Sequence, residues 1–133
     1  MDSAYVLDSY ALLAHFEDEA GGEKVRKILR AASAGKSRLF LSVINLGELY
    51  YISLRERGRE MAEQILFLME QLPIDIVTAD MDMTLEAAKL KGAHPVAYAD
   101  CYAAALAIQK NAKVVTGDPE FKTFERILSV EWI

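Results

Sequence analysis

The sequence has one cysteine, Cys101, and only two histidines, His15 and His94. One thiol cannot close an internal disulfide, and one thiol with two imidazoles falls short of the ligand sets that hold structural zinc. Any metal must therefore be held by oxygen. Basic charge is also scarce: 15 Lys and Arg stand against 20 Asp and Glu, a net charge of −5, which excludes a coat protein with a basic surface throughout. The chain lacks a charge-free apolar run of membrane-spanning length. Its opening, MDSAYVLDSYALLAHF, carries Asp2 and Asp8 but no Lys or Arg, so it lacks the basic start of a secretory signal. These absences imply a cytoplasmic protein with no membrane partner. There is no internal repeat or low-complexity tract, and no GxxxxGK segment to support P-loop nucleotide hydrolysis.

What remains is ordinary globular material. At 133 residues, 53% hydrophobic and 26% charged, the chain suits a single domain over residues 1–133 that buries roughly two thirds of its unfolded surface. Positive charge is clustered in Lys24, Arg26, Lys27, Arg30, Lys36 and Arg38, and again in Arg55, Arg57 and Arg59. Each cluster reads as a solvated helix face or as a local approach for a polyanion.

Of five short runs rich in branched and aromatic residues, SAYVL (3–7), RLFLS (38–42), IDIVT (74–78), AKVVT (112–116) and SVEWI (129–133), at least four read as strands. Between them, GGEKVRKILRAA and MAEQILFLMEQL repeat their apolar residues with helical period, and Gly58 and Gly92 stand where helices should end. Strands separated by helices need crossover connections, which generate parallel sheets covered on both faces. The expected fold is α/β: three layers, α/β/α, around a mainly parallel sheet of four or five strands. Binding sites in such sheets lie outside the carboxyl ends of the strands.

Four acids stand in places that need explanation. Asp8 follows the first strand and Asp118 the fourth, both at that edge; each is also a good helix cap, Asp118 with Pro119 behind it. Glu48 falls in line with Ile44 and Ile52 on an apolar stripe, where it needs either a base such as Arg55 or a functional role. Asp100 is the one charged residue of VAYADCYAAALAI, a segment apolar enough to be buried on several sides. An unpaired buried carboxylate costs several kcal/mol, so Asp100 must be protonated, matched by a cation, or near the open edge. Should all four meet, they would repel one another unless a cation neutralised them, and hard oxygen ligands select Mg²⁺ or Mn²⁺. Such an ion acidifies water and polarises phosphoryl oxygens, so the set points to phosphate-ester chemistry.

YVLDSYALLA with Asp8, SVINLGEL with Glu48, YADCYAAALA with Asp100 and VVTGDPEF with Asp118, in this order along nearly the whole chain, resemble the PIN-domain ribonucleases, in particular VapC-type toxins of toxin–antitoxin pairs. The resemblance implies a parallel α/β/α sheet and the four acids as the site for Mg²⁺ or Mn²⁺. It also implies endonucleolytic RNA cleavage leaving a 5′ phosphate, a cognate antitoxin protein and a homodimer. Thr116 matches a family hydroxyl that orients a carboxylate or the attacking water, though it also reads as a plain strand residue. Ser9 and Ser42 fit positions where hydroxyls are common and equally serve as caps. Asn45 departs from the threonine of many relatives, and Tyr10 from a small polar residue. Glu120 reads as an exposed acid at a helix start, with a place as a fifth acid left open. His15, His94 and Cys101 read as structural, and the acids of ADMDMTLEAA as caps.

Other classes make different demands. A receiver-like phosphoacceptor domain needs paired acids after its first strand and a lysine after its last, whereas Asp8 is followed by Ser9 and Tyr10 and the last run ends VEWI. A solitary RNA-processing nuclease would share the acids but lack an antitoxin. A nuclease-like fold kept only for binding would have no use for all four.

Overall fold

The computed structural model describes residues 3–133, which leaves Asp2 outside the described residues. The chain runs β1 (Ser3–Leu7), α1 (Ser9–Phe16), α2 (Gly22–Ser33), β2 (Ser37–Ser42), α3 (Val43–Arg57), α4 (Arg59–Met69), β3 (Ile74–Val77), α5 (Met81–Ala93), α6 (Tyr98–Lys110), β4 (Lys113–Thr116), a 3₁₀ helix (Pro119–Phe124) and β5 (Val130–Trp132). All five runs form strands, where at least four were expected, each within a residue of the limits read from the sequence. They make one sheet in the order β3-β2-β1-β4-β5, and every pairing is parallel. A receiver-like domain would order its strands 2-1-3-4-5, and the observed order sets that reading aside.

Alternation along the strands sorts the core into two layers. Val6, Phe40 and Val114 face α5, α6 and the 3₁₀ helix. Leu7, Leu39, Leu41 and Val115 face α1, α2 and α4. The inner strands are thus apolar on both faces, as a covered parallel sheet requires. Helix α6 is the most enclosed: every residue from Asp100 to Ala107 is buried, which its alanines allow by letting α5 and the sheet approach closely. Gly58 ends α3 with extended backbone at a positive φ of 89°, which glycine adopts at little cost. Gly92 does not end a helix, because α5 continues to Ala93 and stops at His94. His94 precedes Pro95, and the ring of a proline disfavours helical backbone in the residue before it.

The order of the strands positions the site. From β1 the chain moves to β2 and β3 on one side, then crosses back so that β4 and β5 lie on the other. The direction of winding therefore reverses between β1 and β4, where a crevice opens beyond their carboxyl ends. Leu7 of β1 pairs with Val115 of β4, so Asp8 and the segment from Thr116 to Asp118 leave the sheet side by side. Phe121 and Phe124, both fully buried with ring centroids 5.9 Å apart, anchor the 3₁₀ helix that follows. Phe121→Ala should cost about 3–5 kcal/mol in urea unfolding, as core Phe truncations do, and should weaken divalent-cation binding as well because the anchored turn carries Asp118.

Candidate functional site

Asp8 is the N-cap of α1: its Oδ1 accepts the backbone N–H of Ala11 at 2.8 Å. Asp118 caps the 3₁₀ helix in the same way, accepting from Glu120 N at 3.0 Å. Both capping roles expected from the sequence are present, and they do not compete with another role. A cap uses one carboxylate oxygen and fixes the direction of the other.

The caps aim these groups into one pocket. A cavity of about 320 Å³ is lined by Asp8, Glu48, Asp100, Asp118 and Glu120, with Ser9, Tyr10, Leu13, Ile52 and Ala97 completing it. One carboxylate oxygen from each of Asp100, Asp118 and Glu120 lies within 4.8 Å of the other two. Glu48, half-buried on α3, accepts a 2.6 Å hydrogen bond from Ser9 Oγ. It forms no ion pair with Arg55. Among the described residues, none of the five acids forms an ion pair with Lys or Arg.

The electrostatic cost of this arrangement falls on its two most buried members. Burial pushes the Asp100 carboxyl up to about 8, and the charges of Asp118, Asp8, Glu48 and Glu120 push the same way. Asp8 rises to about 7, again chiefly through burial; hydrogen bonds from Thr116 and Ala11 oppose the rise, and Asp118 and Glu48 add to it. Asp100 stands in the first turn of α6, which has no side-chain cap, and the dipole of the helix offsets a small part of the repulsion.

Several other residues support the pocket from behind. Thr116, fully buried, takes the Asp118 N–H on its Oγ1 at 3.0 Å and hydrogen-bonds Asp8, so it holds two of the acids without reaching the cavity wall. Ser42 caps α3 at Ile44, and buried Asn45 donates to Ala99 O at 3.1 Å, tying α3 to the start of α6. His15, His94 and Cys101 do not line the pocket, and Asp80 caps α5.

Two features depart from the plainest reading of the sequence, which left Glu120 open as a fifth acid and gave the basic clusters a role as an approach for a polyanion. Glu120 is exposed at the start of its helix, as its position suggests, yet its carboxylate joins Asp100 and Asp118. The signal was present in GDPEF: a capping Asp followed by proline folds the chain back so that the acid two residues later faces the same way. The basic clusters do not line the cavity, none of whose ten wall residues is Lys or Arg. Lys24, Arg26 and Arg30 are instead paired with Glu131, Asp18 and Glu23.

The donor set consists wholly of oxygen, is partly buried and carries unbalanced negative charge. It fits a hard divalent cation of the Mg²⁺ or Mn²⁺ kind, and it has no imidazole or thiolate to favour softer metals. Ser9→Ala would leave Glu48 without its hydrogen-bond donor. It should weaken Mn²⁺ affinity about tenfold in a calorimetric titration, the range seen when a ligand's outer partner is removed.

The family model described as "PIN domain" matches residues 5–127. A search of curated proteins gives no match. Among solved structures, VapBC2 from Rickettsia felis bound to a DNA fragment from its promoter superposes with a TM-score of 0.76 at 20% identity, covering 97% of this chain and 98% of that one. DNA-bound VapBC from Salmonella typhimurium gives 0.75 at 19% identity, covering 99% and 98%. VapC20 of Mycobacterium tuberculosis, described as a sarcin-ricin loop cleaving toxin, gives 0.71 at 16% identity, covering 90% and 93%.

Proposed function

The chain belongs to the PIN-domain family, and on that premise we propose that it is a divalent-cation-dependent endoribonuclease of the VapC type, the toxin of a toxin–antitoxin pair. It hydrolyses RNA phosphodiesters to leave 5′ phosphates, acts as a homodimer and is held in check by a cognate antitoxin protein. The observation that carries this reading is the meeting of five carboxylates, none paired with a base among the described residues, in one crevice at the sheet edge. The VapBC and VapC20 likenesses supply the toxin assignment.

In this reading Asp8, Glu48, Asp100 and Asp118 would hold Mg²⁺ or Mn²⁺, and the nearness of the Glu120 carboxylate to those of Asp100 and Asp118 supports a part for it as well. When bound, such a cation supplies charge neutralisation for a phosphoryl group and acidifies water. The chain's own residues do the rest. Ser9 fixes Glu48, and Thr116 fixes Asp8 together with the turn that carries Asp118. Asp8 and Asp100, raised to about 7 and about 8, are the acids that would have to lose protons for a divalent cation to be held there. Leu13, Ile52 and Ala97 complete the wall around the acids.

The direct test incubates the protein with structured RNA in Mn²⁺ or EDTA and maps the product ends. Cleavage that needs the cation and leaves 5′ phosphates is expected. Cleavage in EDTA leaving 2′,3′-cyclic phosphates would mean that the RNA's own 2′-hydroxyl attacks, and the acids would lose their assigned role.

A further inference from the structure

Tyr10, in the first turn of α1, is 44% exposed although it borders the acid pocket. Its ring rests on the backbone of Gly117: a Cβ built there would lie 2.3 Å from Tyr10 Cε1 and 2.7 Å from Cζ. Only glycine permits that approach, and it props the ring against the segment that leads from β4 into Asp118. Tyr10 and Leu13 line the acid pocket and also a second cavity of about 360 Å³, completed by Ala14, Glu19 and Ala20. The two cavities therefore adjoin across the tyrosine.

The second cavity has an apolar wall, an aromatic ring and one carboxylate, Glu19, which forms no ion pair among the described residues. A phosphate would be repelled there. A flat group with apolar faces and N–H donors along its edge is complementary, because aromatic rings stack on nucleobases and a carboxylate accepts their N–H groups.

We propose that this cavity receives the nucleobase next to the phosphate held at the acid pocket, stacked on Tyr10 and hydrogen-bonded to Glu19. The inference rests on the ribonuclease reading for the identity of its ligand. Guanine, whose N1–H and N2–H donors lie side by side, matches both oxygens of a carboxylate. Uracil, with one N–H between two carbonyls, is the poorest match.

The test is equilibrium binding of labelled uridine hexamers carrying one guanosine or one abasic residue at each position in turn, with Ca²⁺ in place of Mg²⁺. Guanosine at one position should tighten binding about tenfold over uridine, the scale of a hydrogen bond to a charged group, and the abasic residue there, which also lacks the stack on Tyr10, should bind worst. Tyr10→Ala and Gly117→Ala should lose this preference while melting normally, Tyr10→Phe should keep it, and Glu19→Gln should narrow the gap between guanine and uracil. A wild-type protein indifferent to the base overturns the proposal. So does a Tyr10→Ala variant as selective as wild type, which would leave the cavity to a side chain of a protein partner. Mn²⁺-driven cleavage of the same oligonucleotides separates the two readings: selective binding without cleavage removes the nuclease but keeps the subsite, and cleavage without selectivity does the reverse.

Discussion

Replacing Asp100 by Asn should lower RNA cleavage about a hundredfold or more, since even an outer partner of a metal ligand is worth 10- to 100-fold, while making the cation-free protein harder to melt. The two effects have one cause. Asp100 is buried at the start of α6, and its carboxyl is pushed up to about 8 by burial and by Asp118, Asp8, Glu48 and Glu120. It therefore binds its proton more tightly in the folded chain than in the unfolded one, where the ordinary value is 3.8. For an acid shifted upward, its contribution to stability is greatest below the unfolded value and falls as pH climbs through the folded one. Asparagine cannot ionise, so the variant escapes that fall. The melting temperatures of wild type and Asp100→Asn should thus diverge between weakly acidic buffer and pH about 8, with the variant ahead by about 3 °C or more at the upper end. A variant that loses activity because its fold collapsed would melt lower, so the pair of measurements separates a functional acid from a structural one. Asp8→Asn should behave alike over a window ending near pH 7, except that the amide is a poorer acceptor for the Ala11 N–H.

The second large effect is the reverse of the first. A divalent cation stabilises the ionised form of the same acids, so Mn²⁺ should raise the melting temperature of the wild type by about 10 °C at a hundredfold excess over its dissociation constant. The gain should grow with pH as fewer protons compete for the carboxylates. In Mn²⁺ the pH dependence of stability changes sign: stability is retained at neutral pH and lost as acid protonates the site. Asp100→Asn combined with Asp118→Asn should remove most of the gain. A monovalent salt at equal ionic strength screens the repulsion without binding, and should produce only a small rise.

Much of this was legible in the sequence because the relevant signals are local. The strands announced themselves as apolar runs with helical segments between them, and parallel order followed from the need for crossovers. Asp100 stood out because a lone charge in an alanine-rich buried helix requires an explanation from chemistry. Glu48 was legible for the same reason, although the partner suggested for it was a base and the structure gives it Ser9, a hydroxyl some forty residues away in sequence. The residues read less well depend on contacts that no local pattern encodes. Glu120 looks like any exposed helix-start acid until the fold brings α6 beside the turn after β4. The packing of Tyr10 on Gly117 joins residues from two separate strand ends, and only the pairing of β1 with β4 makes them neighbours. The basic clusters were legible as charge but not as partners: several are occupied by acids elsewhere on the surface.

The claim that supports all the others is that the clustered carboxylates are tolerated because a divalent cation replaces their protons. Calorimetric titration of the protein with Mn²⁺ at pH about 7, repeated in two buffers of different ionisation enthalpy, measures that exchange directly. The account predicts saturable binding with release of about one to two protons per ion, drawn from Asp8 and Asp100, and a smaller release in Asp100→Asn. Binding without proton release, or no binding at all, would contradict it.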